Sequence, residues 1–105
     1  VTMDDPPISK AQADEWLLSE LRSNYGAGVL KASPNLINHP RVLAAAIDFA
    51  YNLGVSRYRA STLRKRLQAE DWEGAKEQLM RWTKAGGREL PGLVRRRKAE
   101  AGLLP

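Results

Sequence analysis

The sequence predicts a single all-α domain of about five helices packed round a buried central helix. Three observations carry this prediction. Apolar residues recur at helical spacing, capping residues and prolines mark the ends of segments, and no segment alternates apolar and polar residues over the length of a strand. The chain has 105 residues, 43% of them hydrophobic, and no cysteine, so one core must hold the fold without disulfides.

The first helix is predicted over residues 9–25. Ser9 followed by Gln12 is a capping-box signal for its start. Gly26 and Gly28 come next and are expected to end it. Its apolar face at helical spacing contains Ala13, Trp16, Leu17, Leu21 and Tyr25.

The central helix is predicted over residues 42–53. Nearly every residue there is apolar, with Asp48 and Asn52 as the exceptions. A helix that is apolar almost all round is normally buried. Pro40 suits the first turn of this helix and Gly54 suits its C-terminal cap.

Two shorter helices are predicted to follow. The first runs around residues 61–69, with Leu63 and Leu67 facing inward. Asp71 is expected to cap the second. The buried face of this second helix is expected to contain Trp72, Ala75, Leu79 and Trp82, and substantial burial is predicted for Trp16, Phe49, Trp72 and Trp82.

The last helix is predicted to open at Pro91, after a loop over residues 84–88. It contains four consecutive cations, residues 95–98. Because successive helical residues are rotated by about 100°, these four side chains point in different directions, and at least one must face inward. The inward cation is either half of a structural ion pair or an arginine that holds an anion in a cleft.

The net charge of +5 is unevenly distributed along the chain. Residues 1–52 carry a net charge of −2 and residues 53–105 carry +7. A basic surface of this kind attracts an anionic partner, which leaves nucleic acid, anionic lipid and cell wall open. No run approaches the 18 apolar residues that a membrane span requires, so no membrane span is predicted.

Few residues in the sequence are candidates for catalysis or metal binding. Asp48 is the one carboxylate inside a strongly apolar helix, and we interpret it as a buried acid that is satisfied either by a neighbouring arginine or by a helix N-terminus. His39 is the only histidine, whereas a zinc site needs three or four ligands. Gly86 and Gly87 lack the Lys-Ser/Thr pair of a phosphate-binding loop. We therefore predict no metal site and no cofactor.

Tyr51 and Asn52 stand just before the glycine that ends the central helix. At this place an aromatic ring and an amide could project from the core into a groove and hold a sugar ring. The alternative is that Tyr51 packs in the core.

Several ordered blocks of the sequence resemble one family. They are residues 47–54 (IDFAYNLG), 61–67 (STLRKRL) and 81–97 (RWTKAGGRELPGLVRRR), preceded by residues 8–14 (ISKAQAD). These blocks look like those of the phage-type lysozymes of glycoside hydrolase family 24, the endolysins that cleave peptidoglycan. The resemblance extends from about Ile8 to Leu104.

The resemblance implies that the chain is the helical C-terminal lobe of such an enzyme. Residues 1–105 would then form one helical domain, with a leading segment over residues 1–8, an inter-lobe-type helix over residues 9–25 and a helical core over residues 40–105. The family's catalytic Glu, its Asp or Cys and its Thr would lie ahead of Val1. The chain is therefore expected to contain no catalytic residue.

By matching position, the resemblance implies that Tyr51 and Asn52 line the substrate cleft. Arg81 and Lys84 would lie near its edge, and one arginine of residues 95–97 would face the lobe that carries the acid. The candidates for substrate binding are Tyr51, Asn52, Arg81, Lys84, Arg95 and Arg96.

Three interpretations remain open. In the first, the chain binds peptidoglycan glycan strands and works with an N-terminal catalytic lobe or a second copy. The full-length form would then hydrolyse the β-1,4 bond between N-acetylmuramic acid and N-acetylglucosamine in a phage-infected or lysogenic bacterial host, passing from the cytoplasm to the periplasm. The second interpretation is a stand-alone binding or regulatory module. The third, a basic helical nucleic-acid binder, ranks last because no base-reading motif is present.

Overall fold

The structure is a computed structural model, and it describes residues 24–105. This part of the chain contains six α-helices, one 3-10 helix and one β-hairpin, which confirms the all-α class. In chain order these elements are α1 (Asn24–Ala32), the 3-10 helix (Pro34–Asn38), α2 (Pro40–Leu53), α3 (Val55–Ala60), α4 (Thr62–Gln68), α5 (Trp72–Leu79), β1 (Lys84–Ala85), β2 (Arg88–Glu89) and α6 (Pro91–Ala101).

Helix α2 is the centre of the fold, as predicted. Every residue from Val42 to Ala50 is buried, and α2 packs against α1, α3, α6 and the 3-10 helix. Pro40 occupies its first turn. At the other end Gly54 adopts a φ of 101°, which a glycine reaches without steric cost, and its N–H donates to the carbonyl oxygen of Ala50 over 2.7 Å. The apolar residues from Val42 to Ala50 thus form a helical segment that other elements cover on all sides.

The two shorter helices start at side-chain caps. The Ser61 hydroxyl accepts a hydrogen bond from the Arg64 N–H at 3.1 Å, and the Asp71 carboxylate accepts one from the Gly74 N–H at 3.1 Å. Both caps satisfy N–H groups that have no partner within the helix. The cap predicted at Asp71 is therefore confirmed. The two leucines that α4 buries are the predicted ones, Leu63 and Leu67.

Phe49 is the aromatic residue at the centre of the core. Its side chain is fully buried, and its ring lies edge-on to that of Trp82, with 5.4 Å between the ring centres. Trp72 and Trp82 keep some exposure, but most of each side chain is buried, and both pack against the core. The prediction of substantial burial is thus confirmed for Phe49, Trp72 and Trp82. Because α5 ends at Leu79, Trp82 contacts Phe49 from the segment after the helix.

Helix α1 continues beyond the point where the sequence was expected to end it. Gly26 and Gly28 both lie inside α1, so the predicted stop is wrong. A Cβ atom placed on Gly28 would lie only 2.8 Å from Cγ1 of Val55. The absence of a side chain at Gly28 therefore lets α1 approach α3 closely. The rest of the predicted first helix, including its capping box and Trp16, lies outside the described residues.

The predicted loop over residues 84–88 is a short hairpin instead. Lys84–Ala85 pairs with Arg88–Glu89 in an antiparallel ladder. The connecting Gly86 and Gly87 have φ values of 60° and 79°. Two successive positive φ angles are what a two-residue hairpin of this kind needs, and glycine supplies them. Strands of two residues are too short to show an alternating pattern.

Helix α3 was not expected from the sequence, and Tyr58 anchors it. The Tyr58 side chain is fully buried, and its hydroxyl forms a 2.7 Å hydrogen bond with the Ser33 hydroxyl. Burial raises the pKa of Tyr58 to about 12, so the phenol stays neutral. This bond ties α3 to the end of α1.

A buried ion pair on α6 completes the core. Arg97 and Glu100 are both fully buried, with Nη2 2.8 Å from Oε2 and Nε 2.8 Å from Oε1. The guanidinium carbon of Arg97 lies 5.1 Å from the centre of the Phe49 ring, within reach of a cation–π interaction. Arg97 is therefore the inward-facing member of the basic run.

The Glu100 carboxyl is the most strongly perturbed acid among the described residues. Burial raises its pKa well above the ordinary 4.5, and the neighbouring Asp48 raises it further, against the opposing charges of Arg97 and Arg96. A group whose pKa is higher in the folded state than in the unfolded state stabilises the fold. This contribution is complete at pH values below the pKa of the unfolded state. That contribution is lost as the pH rises through the folded pKa.

Replacing Glu100 with Gln should flatten the pH dependence of stability. Gln keeps the shape of the side chain but cannot ionise. We expect the free energy of unfolding of Glu100→Gln to increase relative to that of the unaltered chain as the pH rises from 4.5 to 8. Urea denaturation at several pH values measures this difference. Glu73→Gln, at an exposed site, is the control and should track the unaltered chain. Parallel curves for Glu100→Gln and the unaltered chain would contradict the prediction.

The close approach of α1 and α3 makes a second prediction. Gly28→Ala should lower the free energy of unfolding by about 1–2 kcal/mol, because overpacking at the Val55 side chain outweighs the better helix propensity of Ala. Adding Val55→Ala should make the Gly28→Ala substitution harmless or favourable. Denaturation of the two single variants and the double variant tests both statements. If Gly28→Ala alone, with Val55 retained, increased the free energy of unfolding, the prediction would be wrong.

Candidate functional site

Three polar or aromatic residues share one face at the C-terminal end of α2. Asp48, Tyr51 and Asn52 are spaced by three and four residues, which places them on the same side of a helix. Ala50 is fully buried, whereas Tyr51 is 57% exposed. This face therefore marks the point where α2 emerges from the core.

The Tyr51 ring lies at the surface, so the alternative that it packs in the core is wrong. It contacts the ring of Tyr25 on α1, with 5.2 Å between the ring centres and 58° between the ring planes. Aromatic rings attract each other in tilted arrangements of this kind. The two tyrosines therefore form a small aromatic surface where α1 and α2 meet.

Asn52 supplies an amide beside this aromatic surface. Its side chain is partly buried. The Oδ1 atom is buried and accepts no hydrogen bond from the residues that the structure describes. A buried amide oxygen is normally hydrogen-bonded. Because the atom has almost no exposed surface, a ligand donor would reach it only if the Asn52 side chain turned toward the surface.

Asp48 anchors the same face through Arg96 on α6. Arg96 donates from Nε to Oδ2 over 3.0 Å and from Nη2 to Oδ1 over 2.8 Å. This two-pronged geometry is the strong form of an arginine–carboxylate pair. The prediction that Asp48 is a buried acid with a compensating partner is confirmed, and of the two partners left open by the sequence the structure has the arginine.

The contact with Asp48 keeps the Arg96 guanidinium charged. Burial lowers the pKa of Arg96, but the hydrogen bond and charge of Asp48 outweigh burial, and the net pKa is raised. Tyr51 and Glu100 add smaller contributions in the same direction. The side chain of Arg96 remains 27% exposed.

The other three cationic candidates lie elsewhere. Arg81 follows the end of α5 and Lys84 is in β1, and both residues are exposed. Arg95 lines an open depression of about 360 Å³, together with Glu89, Pro91 and Val94. The structure thus brings Tyr51, Asn52 and Arg96 together where α2 meets α6. It places Arg81, Lys84 and Arg95 around the hairpin and the start of α6.

Sequence reasoning missed Tyr25 as part of this surface. It placed Tyr25 at the end of the first helix, on the apolar face, and assigned it no functional role. No local pattern in the sequence reveals this contact, because Tyr25 and Tyr51 lie on different helices and 26 residues apart.

Within residues 24–105, no group of three or more His, Cys, Asp or Glu side chains could hold a metal ion. His39 lies at the start of α2, with Nε2 3.1 Å from Oε2 of Glu70 and its ring edge-on to Trp72. No helix in this part of the chain is long and apolar enough to cross a membrane.

Comparison with known proteins gives one family. Residues 1–100 match the family model described as "Phage lysozyme". The SAR-endolysin of Bacteriophage PS119 is 45% identical over 56 residues, which are 53% of this chain and 34% of that protein. The SAR-endolysin of Enterobacteria phage P21 is 38% identical over 65 residues, or 61% of this chain and 39% of that protein.

The endolysin of Bacillus phage PZA is 32% identical over 96 residues, which are 91% of this chain and 36% of that protein. The matches thus span only about a third of the length of these curated relatives. The family model, by contrast, covers nearly the whole of the present chain. The resemblance found in the sequence is therefore confirmed, and the chain belongs to the phage lysozyme family.

Proposed function

We propose that the chain is the peptidoglycan-binding helical lobe of a phage-type lysozyme. The full-length form would hydrolyse the β-1,4 bond between N-acetylmuramic acid and N-acetylglucosamine. Membership of the phage lysozyme family supports this proposal. The site residues add a specific chemical argument.

The observation that carries the proposal is the pairing of an exposed ring with an unsatisfied amide. Tyr51 is 57% exposed, and the next residue, Asn52, has a buried Oδ1 that accepts no hydrogen bond within the described residues. A pyranose has an apolar C–H face that can lie on an aromatic ring. Its hydroxyl and acetamido groups are donors that could bind the amide oxygen once the Asn52 side chain turns toward the surface.

The positive charge of this surface favours binding to a cell wall. The peptides of peptidoglycan contain carboxylates, which a basic surface attracts over a distance. Arg96 lies beside Tyr51, and Arg81, Lys84 and Arg95 lie around the hairpin. We assign these four cations to binding the anionic groups of the glycan strand.

We also propose that this chain alone does not cleave the glycan. Hydrolysis of a glycosidic bond needs a carboxylic acid that protonates the leaving oxygen. Asp48 and Glu100 are the buried acids of the described region, and arginines hold both of them. The proton donor would come from an N-terminal lobe ahead of Val1 or from a partner copy that contains it.

The proposed setting is a phage-infected or lysogenic bacterium. The protein would be made in the cytoplasm and would act on the wall from the periplasm. The names of the relatives, endolysins of phages, support this setting.

Binding is tested by sedimentation with purified Gram-negative peptidoglycan. We expect the unaltered chain to sediment with it, and Tyr51→Ala or Asn52→Ala to weaken binding about three- to thirtyfold, the equivalent of roughly one lost hydrogen bond or aromatic contact. Ile37→Ala is the matched control, because Ile37 is 59% exposed, much like Tyr51. Equal binding by all four chains would count against the proposed site.

Catalysis is tested separately on a turbid suspension of permeabilised Gram-negative cells. The chain alone should leave the suspension turbid, because the proposal assigns the proton donor to another part of the protein. Clearing would show that the assignment of the acid to another part of the protein is wrong. Sedimentation with DNA at moderate salt, without any binding to cell wall, would favour the nucleic-acid interpretation instead.

A further inference from the structure

The contact between Tyr25 and Tyr51 joins two helices at the edge of the proposed glycan site. We propose that Tyr25 is a positioning residue of this site, which holds the Tyr51 ring in the orientation that a sugar ring requires. This inference rests on the proposed function. It assigns a role to a residue that neither the composition nor the motifs of the sequence single out.

Tyr51 needs such support because of its place in the helix. It stands in the last turn of α2 and is 57% exposed, so the core alone does not hold its ring. An exposed aromatic side chain is free to move between staggered rotamers. The Tyr25 ring, 5.2 Å away and tilted by 58°, lies in the range of distances and angles where two aromatic rings attract each other. This contact favours the rotamer in which Tyr51 meets Tyr25.

Tyr25 is suited to this role because it is itself held by the core. It is partly buried and packs against the hydrophobic core. The helix that carries it sits close to α3, since a Cβ on Gly28 would lie only 2.8 Å from Val55. Helix α1 also packs directly on α2. A ring on this fixed helix can restrain a ring on the exposed end of its neighbour.

The benefit for binding is preorganisation. A ligand that must first order a mobile ring loses affinity, whereas a ring that is already held does not impose that cost. Asn52 is the next residue of the same turn. A ring that is held in place fits the apolar face of an N-acetylated hexosamine.

A double-mutant cycle tests the inference with peptidoglycan sedimentation as the readout. Tyr25→Ala should weaken binding about two- to tenfold, the range expected for one aromatic pair. Tyr25→Phe should bind like the unaltered chain, because the ring is retained and only the hydroxyl is lost. In the Tyr51→Ala background, Tyr25→Ala should cause no further loss, because there is no ring left to position.

A stability control separates positioning from general damage to the fold. Leu30 is also on α1 and is also partly buried against the core. Leu30→Ala should lower the melting temperature and leave the affinity unchanged. If Leu30→Ala weakened binding as much as Tyr25→Ala does, the loss would reflect loosening of α1, and the inference would be overturned.

The remaining outcomes distinguish the inference from the function on which it rests. Full binding by Tyr25→Ala, with weak binding by Tyr51→Ala, would overturn the role of Tyr25 and leave the proposed function standing. Additive losses in the double variant would mean that Tyr25 contributes independently of Tyr51, which also contradicts positioning. Failure of the unaltered chain to bind peptidoglycan at all would overturn the proposed function together with the inference.

Discussion

The ion pair between Asp48 and Arg96 is the constraint on which the position of the candidate site depends. A carboxylate in the middle of an apolar helix costs several kcal/mol unless a partner compensates it. Arg96 provides that partner through two hydrogen bonds, so α6 cannot shift along α2 without leaving a buried charge unpaired. Tyr51 lies one turn beyond Asp48, and the same contact therefore fixes the end of α2 that presents the aromatic ring.

A second buried ion pair lies on α6 next to this contact. Arg97 and Glu100 are fully buried, and the Arg97 guanidinium also lies over the Phe49 ring of α2. Apolar side chains of similar size could fill this space with comparable stability. Charged groups with fixed hydrogen-bond directions accept fewer alternative packings. We infer that α6 is basic at these positions because the Asp48–Arg96 pair and the contact of Arg97 with Phe49 set its register against α2.

Much of this arrangement could be predicted from the sequence because it depends on local signals. The apolar run up to Gly54 predicted the central helix, and an acid within that run predicted a compensating partner. The remaining features depend on residues that are far apart in the chain. Gly28 looks like a helix stop until Val55 is placed beside it, and Tyr25 meets Tyr51 across two helices. Neither contact has a local pattern that would reveal it.

The most direct test of this account is a double-mutant cycle on Asp48→Asn and Arg96→Gln, with unfolding and peptidoglycan binding measured on the same four proteins. Each single change should lower both stability and affinity. The double variant should be more stable than the sum of the single losses by at least about 1 kcal/mol, because no unpaired buried charge is left. Additive stability losses with unchanged affinity would contradict the claim that this ion pair positions the proposed glycan-binding surface.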